Sequence, residues 1–267
     1  MCVACSKSDD DSGNTNIDAS KLRPTRVLIS DFLTGSGVYK TIEYTYNNKD
    51  LPVLITIYDA TFINGIYTNA DLYASINLRY TLETNNLEQM TFDFHDFEFE
   101  IRELNFIYGF NSNRISGIQR KSINSNNVLG GYTQQYSWSG DNMRYSYTDN
   151  PADGSLSLTF DDEYNLIART TGLGGDGSFE RYYDYDNSAP IFFHDLDNAK
   201  NLNEMFSFID AAYFPNSIRQ YFGLRYPVNL EDTLTEQQTT EFNDKGFVTK
   251  YFVDSLLSYD IEYETFE

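Results

Sequence analysis

The chain has 267 residues, a formal net charge of −21 and a pI near 4.3. An acidic field of that size repels phosphate backbones and anionic headgroups, so nucleic acid is excluded as a partner. Aromatic residues make up 16%, with 22 Tyr and 20 Phe beside a single Trp, which is the composition of strands rather than of a helical bundle. The length is enough to bury a substantial core in one large all-β domain.

The chain opens MCVACSKSDDDSGNTNIDAS, and Cys2 and Cys5 are its only cysteines. No disulfide can staple the body, and no cysteine cluster can bind zinc there. The tetrapeptide ending at Cys5, with Val3 and Ala4 before it, resembles the lipobox of bacterial lipoproteins. That resemblance implies diacylation at Cys5, which would become the mature N-terminus. SKSDDDSGN after it is polar and acidic, suited to a flexible tether over residues 1–22. A lysine and an acidic run in this place resemble the surface-export signal of Bacteroidetes lipoproteins. The implied address is the outer membrane, lipid-anchored and facing outward. Only four residues precede Cys5, and Cys2 stands where the lipobox carries Leu. Either an apolar signal lies upstream of this sequence, or Cys5 is an ordinary exposed thiol. No other segment is long and apolar enough to span a membrane as a helix, so the body, residues 23–267, is expected to meet a membrane only through the anchor.

From Tyr46 onward a unit recurs. YNNKDLPVL at Tyr46, LETNNLEQM at Leu82, FNSNRISGI at Phe110, WSGDNMRYS at Trp138, FDDEYNLIAR at Phe160, YDNSAPIFF at Tyr185 and FNDKGFVTK at Phe242 are loose copies. An aromatic ends one strand, Asn or Asp bonds its own backbone, and Gly or Asn accepts a positive φ before an apolar residue starts the return. Each copy is a hairpin with turn residues at fixed offsets. Between copies, NSNNVLGG (124–131), DNPADG (149–154) and GLGGDG (172–177) supply turns for the opposite end. The whole reads as an antiparallel meander of roughly 14 to 18 strands.

Several stretches invite a chemical reading. In FDFHDFEFEI (92–101) the apolar parity slips at His95–Asp96, which predicts a bulge. Asp93, His95 and Asp96 then share the polar side with Glu98 and Glu100, an oxygen and imidazole set able to hold a divalent cation. A glycosidase-like carboxylate pair is a weaker reading, and a solvated strand face is the plain alternative. Trp138 with Tyr132, Tyr136, Tyr145 and Tyr147 forms the densest aromatic group, a candidate ligand platform or else ordinary cross-strand packing. GLGGDG satisfies G-x-G-x-x-G, but an alternating SFERYYDYD follows where a nucleotide fold needs a helix. DNPADGSLSLTF lacks the ligands of a calcium loop at Pro151 and Phe160. Only His95 and His194 could serve as a triad's base, neither lies near a nucleophile-elbow pattern and no G-x-S-x-G occurs, so the sequence gives no sign of a hydrolase triad. Leu202, Met205, Phe206 and Ile209 follow a helical spacing, which predicts a helical insert over 198–214 that ends at Pro215 and caps the sheet. SIRQYFGLRYPV after it reads as strand-like. DTL at Asp232 and DSL at Asp254 match a short O-glycosylation signal.

The recurring unit resembles tyrosine–aspartate (YD, RHS-type) repeats. Residues 40–265 are similar to Bacteroidetes lipoproteins of unknown function built from degenerate copies, which implies one β-repeat domain with a helical excursion and no secure activity. The expectation is a monomeric, non-enzymatic binding module without cofactor, its ligand a glycan or an envelope protein. A structural scaffold is the alternative, and a metal-dependent hydrolase the third reading.

Overall fold

The computed structural model describes residues 21–30, 39–63, 66–94, 101–109, 114–123, 129–139, 142–147, 155–160, 166–172, 178–181, 205–206, 209, 219–222, 238–245, 247–253 and 256–266. They contain strands β1 (Lys21–Ser30), β2 (Tyr39–Tyr46), β3 (Pro52–Ile63), β4 (Ile66–Tyr80), β5 (Leu87–Phe94), β6 (Ile101–Tyr108) and β7 (Ile115–Ile123). They continue as β8 (Leu129–Ser139), β9 (Asn142–Tyr147), β10 (Ser155–Phe160), β11 (Leu166–Gly172) and β12 (Ser178–Arg181). The last three are β13 (Gln238–Phe242), β14 (Val248–Val253) and β15 (Leu256–Phe266). All fifteen described strands belong to one antiparallel sheet, in the order β12 down to β1, then β15, β14, β13. The expected meander is therefore present, with one non-local join, where β1 pairs with β15 from Lys21↔Phe266 to Ile29↔Tyr259.

The turn unit builds one end of this sheet. Asn47 Oδ1 accepts the backbone N–H groups of Lys49 at 2.9 Å and Leu51 at 3.0 Å. Asn243 Oδ1 does the same for Lys245 at 3.1 Å and Phe247 at 2.9 Å. Asp50 has φ 60°, in the slot that Gly246 fills in the last copy; Gly246 itself lies outside the described residues. The side chain thus closes the turn, and the left-handed residue lets the chain reverse.

Two copies are out of frame with the sequence reading. The residues flanking their turns are Tyr80↔Leu87 and Tyr108↔Ile115, each aromatic two positions before the expected Leu82 and Phe110. These turns are one residue longer; in the first, Asn85 has φ 55°, and Thr81 Oγ1 replaces the Asn side chain by accepting from Asn86 N at 3.1 Å. In five hairpins the register shifts by one just before the aromatic: at Tyr46, Tyr80, Tyr108, Phe160 and Phe242. A bulge there sharpens the local twist, and Tyr46, Tyr80 and Tyr108 pack against the core. The copy at Tyr185 lies outside the described residues.

One side of the sheet is the core side. Ile42, Tyr44, Ile55, Ile57, Ala74, Ile76, Leu78, Met90, Phe92 and Phe94 alternate along β2 to β5 and are all buried. The insert supplies their cover. Met205, Phe206 and Ile209 are helical, as the spacing predicted, and join that cluster together with Tyr221 and Phe222. Phe206 stacks on Phe222 with ring centroids 4.3 Å apart and planes 5° from parallel. Tyr44 donates its hydroxyl to the Tyr221 carbonyl at 3.0 Å, tying this segment to β2. The strand-like reading of SIRQYF is overturned: Arg219–Phe222 is a 3₁₀ turn. A short apolar run carries no period long enough to tell strand from helix. Leu202 and Pro215 lie outside the described residues.

Candidate binding face

The opposite side of the sheet is polar, and cross-strand register makes its rows explicit. Glu262, Arg26, Glu43, Thr56, Ser75 and Asp93 stand side by side across β15 and β1 to β5. A second row runs Arg79, Gln89, Asn105, Gln119, Thr133 across β4 to β8. Within it Gln89 donates to Asn105 at 2.7 Å, Asn105 donates to Glu103 at 2.6 Å, and Lys121 donates to the same Glu103 oxygen. Burial pushes the Glu103 carboxyl up, but the bonds from Lys121, Asn105 and Gln89 and the Lys121 charge outweigh it and hold the group below the usual carboxylate range. Such a face belongs in water. A membrane-spanning barrel shows an apolar band outward and polar residues inward, the reverse of what these strands present.

At the other end of β2 to β4 the polar face carries rings. Tyr39 and Tyr67 lie with centroids 4.6 Å apart and planes tilted by 49°. Burial, then a hydrogen bond to Tyr39 and its charge, pushes the Tyr67 hydroxyl up to about 12, so it keeps its proton at neutral pH. Two residues along β4, Asn69 donates to Glu43 Oε1 at 2.8 Å. Thr61 and Thr68, the next pair along, hold their hydroxyls 3.3 Å apart on the other side of the β3–β4 hairpin. The register explains the grouping: Tyr39, Ala60 and Asn69 form one row, and Tyr67 pairs with Phe62 two residues along on the same side. No composition cue marked these residues, because they lie about 30 positions apart in sequence and meet only through strand pairing.

Of the residues singled out in the sequence, Asp93 is exposed on the polar side in β5, opposite Ser75. His95, Asp96, Glu98 and Glu100 lie outside the described residues, as do Cys5, His194, Asp232 and Asp254. Among the described residues no three His, Cys, Asp or Glu side chains converge. The aromatic group is brought together by the backbone: Tyr136 pairs with Tyr145, Trp138 with Met143 and Gln134 with Tyr147 across β8 and β9, while Tyr132 pairs with Arg120 of β7. In register, Tyr147 falls in the row of Phe106, Ile118 and Gln134, and Tyr132 in that of Leu104 and Arg120. GLGGDG joins β11 to β12, whose strands pair from Ala168↔Arg181 to Thr171↔Ser178. A strand, not a helix, follows it, as the alternation of SFER predicted.

No family model matches this chain, and no curated protein does. Among solved structures it is similar to a porin-like protein from Bacteroides uniformis ATCC 8492, at 10% identity and TM-score 0.45, covering 91% of this chain and 98% of that one. A porin-like protein from Bacteroides vulgatus ATCC 8482 matches at 12% identity and TM-score 0.40, over 90% of this chain and 98% of that one. At scores this low the functional reading rests on the chain's own residues.

Proposed function

We propose that this protein is a non-enzymatic binding module of the outer-membrane surface, tethered through a lipid on Cys5, whose ligand is a glycan or an envelope protein. The observation that carries it is the division of labour across the sheet. The core side is taken up by the chain's own Met205, Phe206, Ile209, Tyr221 and Phe222, which leaves a broad face of hydroxyl, amide and carboxylate groups in water. Hydrogen-bonding faces of this kind suit recognition without chemistry, since among the described residues nothing on this one is arranged to activate a nucleophile or a water. The recurring turn unit supports a kinship with YD-type repeats, and the acidic tether supports export to the surface.

The second reading is a scaffold, favoured by the regularity of the hairpins themselves. Full-length protein used as bait on solubilised envelopes and on a glycan array separates the two. Retention of a defined glycan or protein supports the module; blank results on both leave the scaffold. Replacing Trp138, Tyr136 and Tyr145 by Ala in the same assay shows whether the aromatic group of β8 and β9 takes part. Lost retention with unchanged melting marks a site, whereas lost melting alone marks packing.

A further inference from the structure

The polar face holds one place where rings, hydroxyls, an amide and a carboxylate meet on adjacent strands. Tyr39 and Tyr67 make a joined pair of rings, their centroids 4.6 Å apart. Both are only partly buried, while the neighbouring Ile66, Thr68 and Asn69 are exposed. Asn69 and Glu43 form a hydrogen-bonded amide–carboxylate pair at 2.8 Å. The group spans β2, β3 and β4, about 10 Å across at the usual strand spacing and about as much along the strands. That is the footprint of one or two pyranose rings.

We infer that this cluster is a subsite for a neutral oligosaccharide, with Tyr39 and Tyr67 as the stacking platform and Asn69 with Glu43 as the hydroxyl-binding pair. The inference rests on the binding-module reading and names its ligand class. Three features favour a sugar over other occupants. A pyranose has a C–H-rich face that packs on an aromatic ring, and its rim of hydroxyls both donates and accepts. An amide beside a carboxylate offers both partners for such hydroxyls: the amide has two N–H donors and an acceptor, and its bond to Glu43 uses one donor. Finally, a net charge of −21 selects against uronic or sialic acids and against phosphorylated ligands. A protein partner would favour an apolar centre ringed by polar groups, which this amide- and hydroxyl-rich cluster does not provide.

The test uses the full chain in titration calorimetry against neutral hexasaccharides of glucose, mannose and xylose, with polygalacturonate as the anionic comparison. The expected result is weak but saturable binding of a neutral sugar, Kd on the order of 0.1–1 mM for one shallow subsite, and none of polygalacturonate. Tyr39→Ala and Tyr67→Ala should each weaken it about tenfold, as loss of a ring anchor does, with melting unchanged. Tyr67→Phe, which keeps the ring, should stay within about threefold of the parent, because stacking carries most of the contact. If either Ala variant loses structure, Asn69→Ala, at an exposed position, reads the same subsite and should weaken binding several-fold. Ile107→Ala on β6, away from the cluster, should change nothing. Sugar binding untouched by the Tyr39, Tyr67 and Asn69 variants overturns the subsite and leaves the binding module standing. Retention of an envelope protein with no sugar bound overturns the glycan inference alone, and no ligand of either kind overturns both.

Discussion

Glu103 shows how much of this face depends on one carboxylate. Its hydrogen bonds with Lys121, Asn105 and Gln89 favour the ionised form more than burial opposes it, so its folded-state pKa lies below the unfolded one. A group depressed in this way stabilises the fold above its unfolded pKa, and that contribution is lost as pH falls through the folded value. Glu103→Gln should therefore lower stability by about 0.5–1 kcal/mol at pH 7, the worth of a half-exposed charged network in water. Urea denaturation at pH 7 and at a series of acid pH values checks this, because the difference between the variants should shrink as pH falls through the folded-state pKa. Lys40 teaches the complementary lesson about reading residues. It is buried on the core side, with Nζ 3.0 Å from Asp59 Oδ1 and 3.2 Å from the Tyr73 ring centroid. The alternation of KTIEYTY does place Lys40 with Ile42 and Tyr44. What the sequence could not show is the partner, since Asp59 becomes a neighbour only through the β2–β3 register.

The hairpin ends are held by a recurring bond from a tyrosine to the backbone. Tyr46 donates to the Pro24 carbonyl at 2.6 Å, Tyr80 to Pro52 at 2.8 Å, Tyr108 to Leu87 at 2.8 Å and Tyr263 to Val248 at 2.9 Å. These four strands run the same way, so their rings line up along one end of the sheet. Burial pushes the Tyr46 and Tyr80 hydroxyls well above the ordinary phenol range, and each buried hydroxyl needs its acceptor. Tyr80→Phe should cost about 1–1.5 kcal/mol, the net value of one such bond plus the carbonyl it leaves behind. Chemical denaturation reads it, and a change below about 0.3 kcal/mol would show that the bond contributes little. The unit itself was legible in the sequence, because aromatic and turn residues recur at fixed offsets. Its frame shifts at two copies for a physical reason: the turn after Tyr80 is longer and holds Leu82, which mimics the residue that ends a strand, and at the other copy β6 ends at Tyr108. Leu82 is 88% exposed, which is the mark of a turn residue and not of a strand end.

At the scale of the whole molecule, fold class and strand number followed from turn spacing, and the cover of the core followed in part from helical spacing. The polar binding face did not, since its rows are assembled from strands whose pairing a single sequence states only implicitly. Phe206 and Phe222 are both fully buried between the insert and the sheet. Phe206→Ala should lower stability by about 3–4 kcal/mol, combining lost transfer energy with the cavity left behind; equilibrium unfolding by urea measures it. A loss under about 1 kcal/mol would mean that the insert is not part of the cooperative core. The pairing of β1 with β15 bears on how the chain acquires its shape. Neighbouring hairpins need only short loops to close, but Lys21 must find Phe266 across all the other strands of the sheet. Loop-closure entropy and contact order make that the slowest pairing. Val27 and Ile29 lack their β15 neighbours until that strand has been made, so during synthesis β1 leaves this sheet with a sticky edge that only β15 can cover.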